Sequence, residues 1–72
     1  MVNVLIAEDN VSTSIHLSNA INTRKNVKCV GILNEGTKVY QRVKDLRPDV
    51  LILDLKMPDK NGIEILKEIQ ED

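Results

Sequence analysis

Three carboxylates stand where apolar runs end. Glu8 and Asp9 follow Val2 to Ala7 directly, and Asp54 sits at the C-terminal end of a later run, Val50 to Leu55. Gathered in one small site, three anions repel one another and invite a compensating cation. Oxygen ligands favour a hard ion, and Mg²⁺ takes one or two carboxylates with waters and phosphate oxygens. With such an ion bound, Asp54 stays ionised and can attack phosphorus, because aspartyl phosphate is an established covalent intermediate. The same residues have plainer uses. Acidic residues just past a strand often cap helices, and either Asp9 or Asn10 could cap the helix that follows. Asp54 is harder to explain that way. A charge directly after Val50-Leu51-Ile52-Leu53 is costly to bury without a partner or a role. Downstream, Pro58 fixes a turn and Asn61-Gly62 tolerates unusual backbone geometry, which together allow a sharp loop beside Asp54.

The elements that must position these acids are legible in the apolar pattern. Val2 to Ala7 and Val50 to Leu55 are nearly continuous in Val, Leu and Ile, as strands of a parallel sheet covered on both faces read. Val27 to Leu33 includes Lys28 and suits an edge strand. Between them lie helical stripes: Leu17, Ala20 and Ile21 within about Val11 to Arg24, then Val39, Tyr40, Val43 and Leu46, then Ile65, Leu66 and Ile69 after Asn61-Gly62. Asn34 is a candidate N-cap for the second helix, and Pro48 ends it by excluding Arg47 from helical geometry. The order βαβαβα predicts an α/β fold with a parallel sheet and right-handed crossovers. In such sheets ligands bind outside the carboxyl ends of the strands. Glu8, Asp9 and Asp54 converge there if the first and third strands are neighbours.

Composition narrows the function classes. The 72 residues are 42% hydrophobic and 29% charged, with a formal net charge of −1. That composition fits a globular chain and gives no electrostatic reason to expect nucleic-acid binding. Tyr40 is the only aromatic residue, so stacking platforms for bases or sugars are missing. Cys29 is single and fits a reducing compartment. His16 has no second His or Cys beside it and reads as a surface residue. No signal peptide or membrane span is evident, and a cytoplasmic location is expected. A chain of about 60 residues buries only about 60% of its unfolded surface, so marginal stability is expected.

The chain resembles the receiver domain of two-component response regulators. Val4-Leu5-Ile6-Ala7-Glu8-Asp9-Asn10 looks like the family's acidic-pair strand. Val30-Gly31 with Glu35-Gly36 is similar to its second strand and the following helix start. Pro48 to Pro58, with Asn61-Gly62 after it, looks like the phospho-acceptor strand and its Met-Pro loop. The resemblance implies a flavodoxin-like (CheY-like) fold with strand order 2-1-3-4-5. Residues 1–72 would form its first three βα units, a partial receiver domain. It also implies that Asp54 accepts a phosphoryl group from a sensor histidine kinase. Asp9, Asp54 and the main-chain carbonyl of Lys56 would ligate Mg²⁺, with Glu8 acting through a water. Met57, Pro58 and Gly62 would shape the loop. The domain would be an acceptor rather than an enzyme, with at most weak self-dephosphorylation.

The family's Ser or Thr after a fourth strand and Lys after a fifth are absent from this chain. With three strands, the edge at residues 50–55 is expected to be covered by a homodimer partner or another chain. The opening Ala-Glu-Asp-Asn and the Val-Gly pair resemble receivers that precede a helix-turn-helix domain, implying transcription control. DNA would be met only through an effector domain outside these residues. A second reading is a truncated, non-switching interaction module that docks on a kinase or another receiver. A haloacid-dehalogenase-like phosphatase needs a second Asp two positions after the nucleophile, where Lys56 stands. A cobalamin-binding domain needs a His between Asp54 and Gly62, where none occurs.

Overall fold

The structure, a computed structural model, describes residues 1–71. Strand β1 (Val2–Ala7) leads to helix α1 (Val11–Asn22), and β2 (Val27–Leu33) leads through a 3-10 turn at Gly36–Lys38 into α2 (Val39–Leu46). Strand β3 (Val50–Leu53) and helix α3 (Gly62–Glu71) complete the βαβαβα order. The three strands form one sheet in the order β2-β1-β3, with both pairings parallel. This is the flavodoxin-like arrangement expected from the unbroken Val, Leu and Ile runs.

Central β1 is the most deeply covered element. Leu5, Ile6 and Ala7 have no exposed surface, and Val4 has almost none. Side chains alternate between the faces of a strand. Leu5 and Ala7 join Leu33, Val39, Met57 and Ile65 in a core that Val43, Leu51, Leu53 and Ile69 extend. Val4 and Ile6 therefore face the opposite side, where α1 runs. The β1–β2 register slips between Val4 and Leu5, whose partners are Cys29 and Gly31, so Val30 is an extra residue on the edge strand. A Cβ on Gly31 would lie 3.1 Å from Leu5 Cδ1, so the missing side chain makes room for the core leucine.

Several local expectations change. Strand β3 stops at Leu53, not Leu55: its last ladder bond is from the Asp54 amide to the Ala7 carbonyl, 2.9 Å, and Leu55 turns outward. Asn34 does not cap α2. Its side-chain amide donates to the Glu8 carbonyl at 2.7 Å and to Ser14 Oγ at 3.2 Å, tying the β2–α2 loop to the end of β1. That contact explains why the buried residue of α1 is Ser14, whose hydroxyl also donates to the Val11 carbonyl at 2.7 Å. In the predicted α1 stripe Leu17 and Ile21 are half-buried, while Ala20 is exposed. On α3, Ile65 and Ile69 turn inward and Leu66 turns outward.

Arg47 leaves α2 as Pro48 requires, in the left-handed region at φ 47°, ψ 58°. Its amide still bonds the Val43 carbonyl at 2.9 Å and closes the helix end. At the foot of the sheet, Asp49 accepts the Asn3 amide at 2.7 Å and its own amide donates back to the Asn3 carbonyl at 2.8 Å. This reciprocal pair sets the starting register of β3 on β1.

Candidate functional site

The β1–β3 register places Ala7 opposite Leu53, so the residues that follow each strand emerge side by side. Glu8, Asp9 and Asp54 meet there, each offering a carboxylate oxygen within 4.8 Å of the others. Backbone bonds fix both exits. The Glu8 amide donates to the Leu33 carbonyl at 2.9 Å, and the Asp54 amide holds Ala7 as described. The first helix is capped by Asn10, whose Oδ1 accepts the Thr13 amide at 2.9 Å. Asp9 is thereby released from capping, and its carboxylate points toward Asp54 instead.

The electrostatics set Asp54 apart from Glu8. The amide of Lys56 donates to Asp54 Oδ1 at 3.0 Å and holds the Asp54 carboxyl below the usual aspartate range. For Glu8, the amide of Asn10 pulls the pKa down through its bond to Oε2. The Asp9 and Asp54 carboxyls, with partial desolvation, outweigh it and leave the pKa raised. Carboxylates so close repel unless a proton or cation lies among them. An all-oxygen donor set at this spacing suits a hard divalent cation.

The loop after Asp54 runs from Leu55 to Asn61. Met57 is buried in the core, while Lys56 and Pro58 are exposed. Asn61 Oδ1 accepts the Ile63 amide at 2.7 Å, giving α3 a side-chain-bonded start. Gly62 is buried because nothing larger fits: an added Cβ would lie 2.7 Å from Leu55 Cα and 3.2 Å from the Asp54 carbonyl oxygen. His16 lies exposed on α1, and Cys29 is half-buried in the edge strand.

The match to known proteins agrees with this geometry. The family model described as response regulator receiver domain matches residues 4–72. The chain belongs to the response regulator receiver family. A protein-glutamate methylesterase/protein-glutamine glutaminase of Thermotoga maritima is 32% identical over 71 residues, covering 99% of this receiver and 21% of that protein. Its namesake in Bacillus subtilis is 30% identical over 71 residues, covering 99% of this chain and 20% of that protein. Among solved structures, the response regulator domain of Thermotoga maritima CheB superposes with a TM-score of 0.94 at 32% identity, covering 99% of this chain and 53% of that one. The receiver thus spans about a fifth of these curated relatives and about half of that solved domain. Among the described residues no helix is long and apolar enough to cross a membrane.

One residue of the site region escaped sequence reasoning. Asp59 accepts the amides of Gly36 at 2.9 Å and Thr37 at 3.1 Å, one on each carboxylate oxygen. These bonds hold its pKa below the ordinary aspartate value of 3.8. A depressed folded-state pKa means that stability is gained above the unfolded value and lost as pH falls through the folded one. The urea midpoint of the wild type should therefore fall more steeply than that of Asp59→Asn as pH drops below about 3.8. Equal slopes for the two proteins would show that Asp59 gains nothing from these amides.

Proposed function

We propose that the receiver is a phospho-acceptor and that Asp54 takes a phosphoryl group from a phosphohistidine of a sensor histidine kinase. A carboxylate oxygen of Asp54 attacks phosphorus, and an acyl phosphate O–P bond forms. The N–P bond of the phosphohistidine breaks, and its electron pair returns to the imidazole nitrogen, which takes up a proton from solvent. The convergence of Glu8, Asp9 and Asp54 on one point carries this reading. Asp9, Asp54 and the Lys56 main-chain carbonyl would hold Mg²⁺, with Glu8 reached through a water. The ion, when bound, neutralises phosphoryl charge and fixes the in-line approach. Within the chain, the Lys56 amide orients the Asp54 carboxylate.

Residues 1–72 are read as the first three βα units of a receiver. The output attached to such a receiver is proposed from the relatives. The curated relatives described above are protein-glutamate methylesterases/protein-glutamine glutaminases, which favours control of a covalent protein-modifying effector over the transcriptional output suggested by the Ala-Glu-Asp-Asn opening. A solved LuxR-family response regulator from Aurantimonas, with a TM-score of 0.89 at 20% identity and coverage of 96% of this chain and 49% of that one, shares the fold. It adds nothing on output.

The competing reading, a docking module that does not switch, is favoured by one observation. The outer side of β3 and the neighbouring turn expose Val50 at 44% and Leu55 at 49%, a surface that a kinase, another receiver or a second copy could cover. Incubation with phosphorylated kinase and Mg²⁺ separates the two. Label on the wild type supports the acceptor, and its absence supports the docking module.

A further inference from the structure

We propose that Asp59 is a positioning residue for the Asp54 site: by clamping the β3–α3 loop onto the start of α2, it fixes the segment that sets Lys56 beside Asp54. The proposal deepens the acceptor reading and rests on it for its metal readout.

The first amides of a helix lack partners within the helix and need acceptors from elsewhere. Neither the 3-10 turn at Gly36–Lys38 nor α2 has a side-chain cap of its own. Asp59 supplies one from a distant part of the chain, 23 residues from Gly36 and 22 from Thr37, and spends both carboxylate oxygens on it. An anion is also favoured at a helix start by the aligned peptide dipoles.

The fit around Gly36 is an independent sign that the two loops are meant to touch. Gly36 is buried, and a Cβ there would lie 2.9 Å from Lys60 Cβ and 3.1 Å from the Lys60 carbonyl oxygen. The approach of the α2 start to the acceptor loop thus excludes any side chain at this position.

The consequence falls on Lys56. Its amide must stay on Asp54 Oδ1, and its carbonyl must face the metal if the acceptor reading holds. The loop from Leu55 to Asn61 has few anchors. Met57 enters the core, but a thioether side chain adapts readily and specifies position weakly. Lys60 pairs with Glu68 on α3, which ties the loop to the helix it leads into rather than to the rest of the fold. Asp59 is the polar anchor that ties the loop to α2. The rigid Pro58 between Met57 and Asp59 passes that constraint back along the chain.

The test compares the full chain with Asp59→Ala, Asp59→Asn and Asp49→Ala, reading Mg²⁺ affinity by calorimetry and the Lys56 amide resonance by NMR. Asp59→Ala should weaken Mg²⁺ binding about tenfold, the effect usual for removing an outer-shell support. Asp59→Asn, which keeps one acceptor oxygen, should recover part of the loss. Both should move the Lys56 resonance in metal-free protein. Asp49→Ala loses the bond at the opposite end of the sheet, so it should lower stability without changing Mg²⁺ affinity or the Lys56 resonance.

Unchanged Mg²⁺ affinity in Asp59→Ala, or a Lys56 resonance that stays in place, overturns the proposal. If Asp59→Ala does not fold, the same readings on Asp59→Asn decide. If the wild type binds no Mg²⁺, the metal reading fails by itself. The metal-free Lys56 resonance then judges the clamp: displaced, it stands; unmoved, it falls.

Discussion

Asp54→Asn should reduce phosphoryl label from a phosphorylated kinase to background while leaving the fold intact. The carboxamide carries no net charge, and attack through its oxygen would give a cationic imidate in place of an acyl phosphate, so it cannot serve as the nucleophile. The structural role of Asp54 survives the change. An asparagine Oδ1 can still accept the Lys56 amide now held at 3.0 Å, and the Asp54 amide remains in the β1–β3 ladder. Removing one of three close carboxylates also relieves repulsion. Two unit charges 4 Å apart cost about 1 kcal/mol even in water, so the metal-free variant should be at least as stable as wild type. The metal should respond in the other direction. With one anionic ligand gone, Mg²⁺ affinity should fall, and Mg²⁺ should raise the urea midpoint of the wild type more than that of the variant. Label that persists on Asp54→Asn would move the acceptor to another residue and end the reading of this site. Wild type that binds Mg²⁺ without being labelled would favour the docking module.

What the sequence revealed and what it hid divide along the range of the interactions. The continuous runs in β1 and β3 mark buried parallel strands because no polar face is needed, and that alone brings Glu8, Asp9 and Asp54 to one end of a sheet. Pro48 ended α2 through a steric effect on its immediate neighbour, Arg47, which is local and therefore readable. Other features depend on partners far along the chain. Asn34 looked like a cap because its type suits one, but the Glu8 carbonyl and the Ser14 hydroxyl, 26 and 20 residues away, take its side chain. Ser14 is buried because that bond satisfies it, which no apolar periodicity could announce. The length of β3 misled for a different reason. Leu55 continues the apolar run, but the ladder with β1 has ended by then, and the chain turns to meet Gly62. Asp59 belongs with the distant cases: its partners, the amides of Gly36 and Thr37, lie 23 and 22 residues away, and only the folded contact gives it work.

Gly62→Ala should destabilise the receiver and weaken the site together, although alanine is the better helix former. Position 62 opens α3, where replacing glycine would ordinarily gain up to about 1 kcal/mol in helix propensity. The added methyl has nowhere to go. Its carbon would fall 2.7 Å from Leu55 Cα and 2.8 Å from Leu55 Cδ2. The leucine side chain can rotate away, but its Cα is main chain and cannot. Either α3 backs off, stretching the 3.2 Å bond from the Gly62 amide to the Leu55 carbonyl, or Leu55 is driven toward the site. Forced overpacking of this kind costs roughly 1–3 kcal/mol. The second route also displaces Asp54, whose carbonyl oxygen lies 3.2 Å from the same methyl position, and with it the Lys56 amide on its carboxylate. Urea titration should show the lower stability, and calorimetry should show weaker Mg²⁺ binding even where the variant remains fully folded. A stabilised Gly62→Ala with wild-type metal affinity would mean that α3 does not press against the acceptor strand, and that the loop owes its shape to Met57 and Asp59 alone.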